Sequence, residues 1–231
     1  MRRALLLLAL PALLLLAACP EEKAPEARRA PTEADFRRHL LAVIDTYPTD
    51  GTHGYHWPRP DTGRWLGNTR RLEYAGTVLS EGDPQGRCHC SGITFEVFFR
   101  AWARWCGENE RSFRILDLDV AGVRRLQRQW FGVGGDRKTL LTAVTKNDLG
   151  RRITDLEQAR EGDFVQLWRH SGSGHSCVLR TWIREDEKIV GLRYWSTQGS
   201  TNGIGERVER FGESGSAVRR DELYVVRVGI E

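Results

Sequence analysis

The sequence lacks a second long apolar run, an internal repeat and a strong excess of charge of either sign. Its main apolar run, residues 4–16, is interrupted only by Pro11 and lies at the N-terminus, so no polytopic membrane protein is expected. The chain has 35 basic and 31 acidic residues, and its formal net charge is +4. Because this basic excess is small, nucleic acid is not an expected partner.

The first 19 residues have the pattern of a signal peptide. Two arginines precede the apolar run, which ends in Leu-Ala-Ala-Cys at residues 16–19, and the run is too short to span a bilayer. The pattern resembles a bacterial lipoprotein signal with its lipobox. The resemblance implies removal of residues 1–18, lipidation of Cys19 and a membrane anchor; a plain secretory signal is the alternative. Pro20 replaces the usual inner-membrane retention aspartate, which favours the outer membrane, on its periplasmic face.

The rest of the chain divides into a tether and one domain. Residues 19–35 are rich in proline, alanine and charge and contain no large apolar residue, so we expect a lipidated cysteine followed by a flexible tether. Residues 36–231 are enough for one domain with a core. Helical apolar spacing comes first and β-rich runs come after Gly162, which predicts an α+β fold with an antiparallel sheet.

The predicted elements follow from apolar spacing and turn residues. We expect the first helix to be capped by Asp35 or Thr32. Residues 48–68 are rich in glycine, proline and aromatics and predict a long loop that walls a cleft or clamps onto the core. Helices are expected over residues 35–47, 91–105, 123–132, 139–144 and 153–160, and strands over residues 164–168, 177–183, 189–195 and 223–228.

Cys90 is the residue that most directly indicates chemistry. It comes just before a run with helical apolar spacing, and a helix N-terminus favours the thiolate form of a cysteine. His175 enters a later, strand-like run. A thiol at a helix start and an imidazole on a strand are the minimal apparatus of a cysteine acyl-transfer enzyme. The competing interpretation is structural, since most cysteines and histidines have no catalytic role.

Three segments together resemble the NlpC-type cysteine peptidases of the papain-like superfamily. They are Cys-Ser-Gly-Ile at residues 90–93, Gly-Asp-Phe-Val at residues 162–165, and Gly-His at residues 174–175. The resemblance implies a papain-like α+β fold in which the cysteine opens a helix packed on an antiparallel sheet. The chain departs from the family where His89 replaces the usual aspartate and where Ser176 and Cys177 follow the histidine.

The resemblance also implies the roles of the site residues. Cys90 is the expected nucleophile and His175 the base, with a Cys90 pKa well below that of a free thiol. A third polar group orients the imidazole; Gln198 is chosen for its reach, with Ser196 and Asn202 as alternatives. Backbone N–H groups near Cys90 and Ser91 are expected to receive the oxyanion. The tyrosine of that pocket matches Tyr74, which otherwise caps the core.

The other cysteines allow two further interpretations. Cys88, Cys90, His175 and Cys177 form a Cys-X-Cys and His-X-Cys set that could hold zinc as a structural module. In an oxidising compartment, a disulfide between Cys88 and Cys177 would explain the same spacing. Cys106 is expected to be a lone buried thiol.

These patterns favour a cell-envelope cysteine hydrolase with no metal or other cofactor. Its expected substrate is an amide bond in a peptide, most naturally a peptidoglycan stem peptide. A non-catalytic lipoprotein that binds cell wall or a protein partner on the same fold is the first alternative, and the structural zinc module is the second.

Overall fold

The computed structural model describes residues 30–57 and 67–231. The signal sequence, Cys19, residues 19–29 of the tether and residues 58–66 of the long loop lie outside the described residues. None of the described helices is long and apolar enough to cross a membrane. The described elements are, in chain order, α1 (Glu33–Ile44), β1 (Leu72–Tyr74), β2 (Thr77–Ser80), α2 (Cys90–Glu108), α3 (Val120–Trp130), α4 (Thr139–Thr145), β3 (Gly150–Ile153), β4 (Phe164–Arg169), β5 (Gly174–Glu185), β6 (Lys188–Gln198), β7 (Gly203–Arg210) and β8 (Val218–Val228).

The folded domain begins earlier than the predicted residue 36. Thr32 is the N-cap of α1, and its hydroxyl accepts the backbone N–H of Asp35 at 3.1 Å. Ala30 is buried, and the Glu33 N–H donates to the Ile230 carbonyl at 3.0 Å. Residues 30–35 are therefore part of the domain, and the predicted tether is too long at its C-terminal end.

The α+β prediction with an antiparallel sheet is confirmed. Six strands form one sheet in the order β3-β8-β4-β5-β6-β7, and β1 pairs with β2 as a separate hairpin; all the pairings are antiparallel. The predicted helix over residues 153–160 is wrong. Residues 150–153 instead pair with β8, and an Asp155 side chain that accepts the Glu157 N–H starts a short 3-10 turn over Leu156–Gln158.

The sheet has a hydrophobic cluster on each face. The larger cluster joins the helices to one face and includes Phe36, Phe98, Trp130, Phe164 and Val178. The second cluster covers the other face with members such as Val165, Leu179 and Tyr194. Side chains alternate along a strand, which is why Val178 and Leu179 belong to different clusters. The sheet therefore curls around a core of its own while it supports the helices.

Helix α2 is the central helix of the larger cluster. Nearly all of its residues from Cys90 to Phe99 are buried, and it packs against α1, β5 and β6. The buried Glu96 carboxylate anchors its surroundings: it accepts the Thr69 backbone N–H at 2.6 Å and the Tyr47 hydroxyl at 2.5 Å. These bonds tie the two ends of the loop over residues 48–68 to α2.

Candidate functional site

Cys90 is the first residue of α2. The preceding residue, His89, is the N-cap, and its Nδ1 accepts the backbone N–H of Gly92 at 3.1 Å. A cap of this kind satisfies one of the unpaired N–H groups at a helix start. The imidazole nitrogen thus performs the capping that an aspartate oxygen would perform, which gives His89 a structural explanation.

Gly92 allows another part of the chain to approach the helix start. A Cβ at this position would lie 1.8 Å from the Gly67 carbonyl oxygen, and that carbonyl accepts the His89 N–H at 3.1 Å. Only glycine has room for this contact. The glycine of the Cys-Ser-Gly motif is therefore required by local packing.

The Cys90 sulfur lies against strand β5 at the residue after His175. The backbone N–H groups of Ser176 and Ser91 both donate toward it. The β5–β6 pairing begins at Val178 and Trp195, although β5 is paired with β4 from Gly174 onward. The thiol therefore reaches β5 at the point where β5 and β6 are no longer paired.

His175 lies on the face of the sheet that carries the second cluster. Its ring is 5.4 Å from the ring of Tyr194, and two residues along the strand Cys177 belongs to that cluster. Its Nε2 is buried and has no hydrogen-bond partner within residues 30–57 and 67–231. The thiol and the imidazole are thus brought to consecutive residues of β5.

Both groups are held in their neutral forms. Burial raises the pKa of the Cys90 thiol. The N–H groups of Ser176 and Ser91 and the charge of Arg169 lower this pKa, but by less. Burial, followed by the Arg169 charge, lowers the pKa of His175 to about 3. Cys90 is 8% exposed and His175 is 7% exposed. The expectation of a lowered Cys90 pKa is wrong for this closed structure, because desolvation outweighs the helix terminus.

The raised pKa predicts how Cys90 reacts with iodoacetamide in the absence of substrate. Only the thiolate is alkylated, so the labelling rate should be low at neutral pH and rise with a midpoint above the free-thiol value of about 8.5. Mass spectrometry of the Cys90 peptide across a pH series measures this midpoint, with glutathione as the reference thiol. A midpoint below that of glutathione would contradict the burial effect.

Of the three candidates for the orienting group, only Gln198 lies at the His175 ring. The β5–β6 register that pairs Val178 with Trp195 and Leu179 with Tyr194 places Gln198 opposite His175 when it is extended. The Gln198 side chain raises the pKa of His175, and its Oε1 has no other partner.

The two alternatives are engaged elsewhere. The Ser196 hydroxyl donates to the Ser176 carbonyl at 2.7 Å, so it closes the gap between the separated strands. Asn202 is exposed in a left-handed turn with φ 51°, where its side chain adjoins Gly51. Neither side chain is available to hold the imidazole.

The assignment of Tyr74 to the oxyanion pocket is wrong. Its hydroxyl donates to the Leu118 carbonyl at 2.7 Å and accepts the Ile115 N–H at 3.1 Å, and its ring packs on Phe99. Phe99 is nine residues along α2 from Cys90, roughly 13 Å by the helical rise. Tyr74 therefore caps the core.

A different tyrosine lies at the cysteine. Residues 54–57, termed the strap, pass over the start of α2. The Cys88 N–H donates to the Gly54 carbonyl at 3.1 Å, and the His56 N–H donates to the Cys88 carbonyl at 2.9 Å. Tyr55 lies close to Cys90. Burial raises the pKa of the Tyr55 phenol most, a charge on Cys90 would raise it further, and the charge of Arg169 lowers it. The strap thus helps to close the site.

The outer part of the strap is aromatic and exposed. The Trp57 ring lies 4.8 Å from the His89 ring, yet 55% of the tryptophan is exposed. The strap is part of the predicted loop over residues 48–68, of which residues 58–66 lie outside the described residues.

A buried ion network beneath His175 was missed by the sequence analysis. Arg169 makes a two-pronged contact with Glu209, with distances of 2.8 and 2.6 Å, and the Tyr194 hydroxyl donates to the same carboxylate at 2.7 Å. Strands β4 and β7 are separated by β5 and β6, so this contact requires the sheet to curl. No local pattern in the sequence indicates such a long-range pairing.

The remaining cysteines form neither a disulfide nor a zinc site in the described part of the chain. Cys88, Cys90, Cys106 and Cys177 are all free thiols. The predicted bond between Cys88 and Cys177 is absent because Cys88 packs in the helix-side cluster and Cys177 packs on the opposite face. Within residues 30–57 and 67–231, no three potential ligands cluster around one point, so the zinc interpretation is not supported. Cys106 is a lone buried thiol, as predicted.

Comparison of the chain with protein-family models, with curated proteins and with solved structures finds no match. The site is therefore defined by its own residues: a thiol at a helix start, an imidazole on the adjoining strand and an amide side chain behind the imidazole.

Proposed function

We propose that the protein is a cysteine hydrolase of the cell envelope that cleaves an amide bond in a peptide, with peptidoglycan stem peptides as the substrate class. The observation that carries the proposal is that the Ser176 N–H donates toward the Cys90 sulfur, one residue from the buried imidazole of His175. The papain-like, NlpC-type fold is part of the proposal, and the order of helix, cysteine and histidine strand supports it.

The proposed chemistry begins with two neutral groups. His175 accepts the Cys90 proton as the sulfur attacks the substrate carbonyl carbon, and backbone N–H groups at the start of α2 stabilise the oxyanion. The carbon–nitrogen bond then breaks as the imidazolium gives its proton to the leaving nitrogen. Water hydrolyses the resulting thioester and regenerates the thiol. The role of His175 as a base fits a resting imidazole that is unprotonated.

The place of action is also a proposal. The lipobox ending in Cys19 supports a lipid anchor, and Pro20 supports the periplasmic face of the outer membrane. An enzyme held there would meet the peptide part of the cell wall.

Digestion of purified peptidoglycan tests the function. The full-length protein is incubated with the polymer, and the soluble products are separated and weighed by mass spectrometry. We expect peptides whose masses show one water added for each bond broken, and loss of this release after iodoacetamide treatment at high pH. If the untreated protein remains folded and releases nothing, the hydrolase proposal fails for this substrate.

A non-catalytic binding protein is the second candidate. The burial of both Cys90 and His175 supports it, because a closed site of two neutral groups also suits a structural role. Cosedimentation of the protein with insoluble peptidoglycan, without release of peptides, would favour this candidate.

A further inference from the structure

The hydroxyl of Thr201 has a hydrogen-bond arrangement that permits only one solution. It lies 2.5 Å from the Gly203 carbonyl oxygen and 3.2 Å from the Gln198 carbonyl oxygen. Carbonyls only accept, and two oxygens 2.5 Å apart need a hydrogen between them, so the hydroxyl hydrogen points to the Gly203 carbonyl. The hydroxyl oxygen can then only accept from the third neighbour, the Gln198 side-chain amide, at 2.9 Å.

This arrangement decides which way the Gln198 amide points. The nitrogen and oxygen of a side-chain amide are otherwise interchangeable in shape. Because the Thr201 hydroxyl needs a donor from the amide, the NH₂ group faces Thr201. The carbonyl Oε1 is therefore turned the other way, where it is buried and has no partner among the described residues.

The Gln198 side chain lies beside the His175 ring and raises the pKa of that ring. Both residues are on the same face in the extended β5–β6 register, and His175 Nε2 is the other buried atom here without a partner. An acceptor next to an imidazole favours a ring N–H on that side, whereas an NH₂ group would oppose it.

We propose that Thr201 is a positioning residue of this site, which locks the Gln198 amide so that its carbonyl oxygen faces His175. The inference rests on the proposed function, because the locked carbonyl stabilises the imidazolium that forms when His175 takes the Cys90 proton. The other charges that act on His175 are Arg169 and Arg207, which oppose protonation, and Glu209, which favours it. The Gln198 amide is the uncharged group among those that shift the pKa of His175.

Two substitutions at Thr201 separate positioning from packing. Thr201→Val keeps the shape and removes both hydrogen-bonding functions, while Thr201→Ser keeps them and is the matched control. The readout is nitrogen NMR of the His175 ring in the full-length protein labelled with ¹⁵N-histidine, at neutral pH. We expect one tautomer in the parent and in Thr201→Ser, and a mixture in Thr201→Val. Peptide release should fall about tenfold in Thr201→Val, the effect of one net hydrogen bond.

The double variants make the test specific. In a Gln198→Ala background, Thr201→Val should have no further effect on the ring signals, because no amide is left to orient. In a Gln198→Glu background it should also have none, because both carboxylate oxygens accept. Unchanged ring signals in Thr201→Val, or an undiminished effect in Gln198→Ala, would overturn the proposal.

The two proposals fail separately. A changed tautomer in Thr201→Val in a protein that cleaves nothing supports the positioning role and removes the hydrolase function. Full cleavage by Thr201→Val with parent-like ring signals removes the positioning role and leaves the hydrolase function intact.

Discussion

Replacing Cys90 with alanine is expected to abolish amide cleavage while the protein stays folded. In the proposed mechanism the sulfur forms the bond to the substrate carbonyl, and loss of a covalent nucleophile typically lowers kcat by at least about 10⁴-fold. Cysteine and alanine differ by one atom, so the free energy of unfolding should fall by only about 1 kcal/mol. Rates of peptide release and urea unfolding curves measure the two effects.

Cys106→Ala is the matched control. Cys106 is also on α2, is also a buried free thiol, and makes only a weak 3.8 Å contact with the Arg114 carbonyl. It should cost similar stability and leave cleavage unchanged. His175→Ala should resemble Cys90→Ala in activity. Retention of cleavage by Cys90→Ala would show that another group does the chemistry.

Mild acid is expected to destabilise the protein strongly. Burial, followed by the charge of His56, lowers the pKa of His89 to about 4, and burial, followed by the charge of Arg169, lowers the pKa of His175 to about 3. An unfolded histidine has a pKa near 6.5, so the unfolded chain binds more protons than the folded one below that pH. Stability should therefore fall as pH falls through 6.5, by roughly 1.4 kcal/mol per pH unit for each histidine.

The hydrogen bond of His89 also predicts that its protonation destabilises the folded protein. Its Nδ1 accepts the Gly92 N–H, and a protonated nitrogen cannot accept. Urea unfolding at pH 6.5, 6.0, 5.5 and 5.0 measures the slope before most carboxylates titrate. His39, which is also buried and has a lowered pKa, adds to the same slope.

Two substitutions test whether buried histidines cause this pH dependence of stability. His89→Asn keeps a side-chain acceptor at the N-cap and should reduce the slope. His170→Asn changes an exposed histidine and should leave the slope as it is. An equal slope in the parent and in His89→Asn would contradict the role given to the buried histidine.

The start of α2 could be predicted because its signals are local. Apolar residues at helical spacing follow Cys90 directly, and the buried face of α2 begins at that residue. The antiparallel sheet was predictable for a similar reason, since β4, β5, β6 and β8 contain the β-rich runs. By contrast, β7 runs over Gly203–Arg210 with few apolar residues, and its pairing with β6 provides what its composition does not indicate.

The wrong predictions concern positions and pKa values that are set by three-dimensional packing. Tyr74 precedes the cysteine in sequence, but a hairpin carries it into the core, and Tyr55 takes the place at Cys90 through the strap. The expected thiolate depended on the helix terminus alone, whereas burial of the sulfur has the larger effect on its pKa. A sequence contains no local measure of desolvation, so the direction of the Cys90 pKa shift could not be predicted from residues 87–99.

The closure of the site also affects how well the Cys90 thiol survives oxidation. Oxidation of cysteine to sulfenic acid and beyond proceeds from an accessible thiolate. Cys90 is 8% exposed, is neutral at rest, and has Tyr55 of the strap beside it. In an oxidising environment, peroxide should therefore oxidise the Cys90 thiol slowly, so a free cysteine can persist at this position without a disulfide.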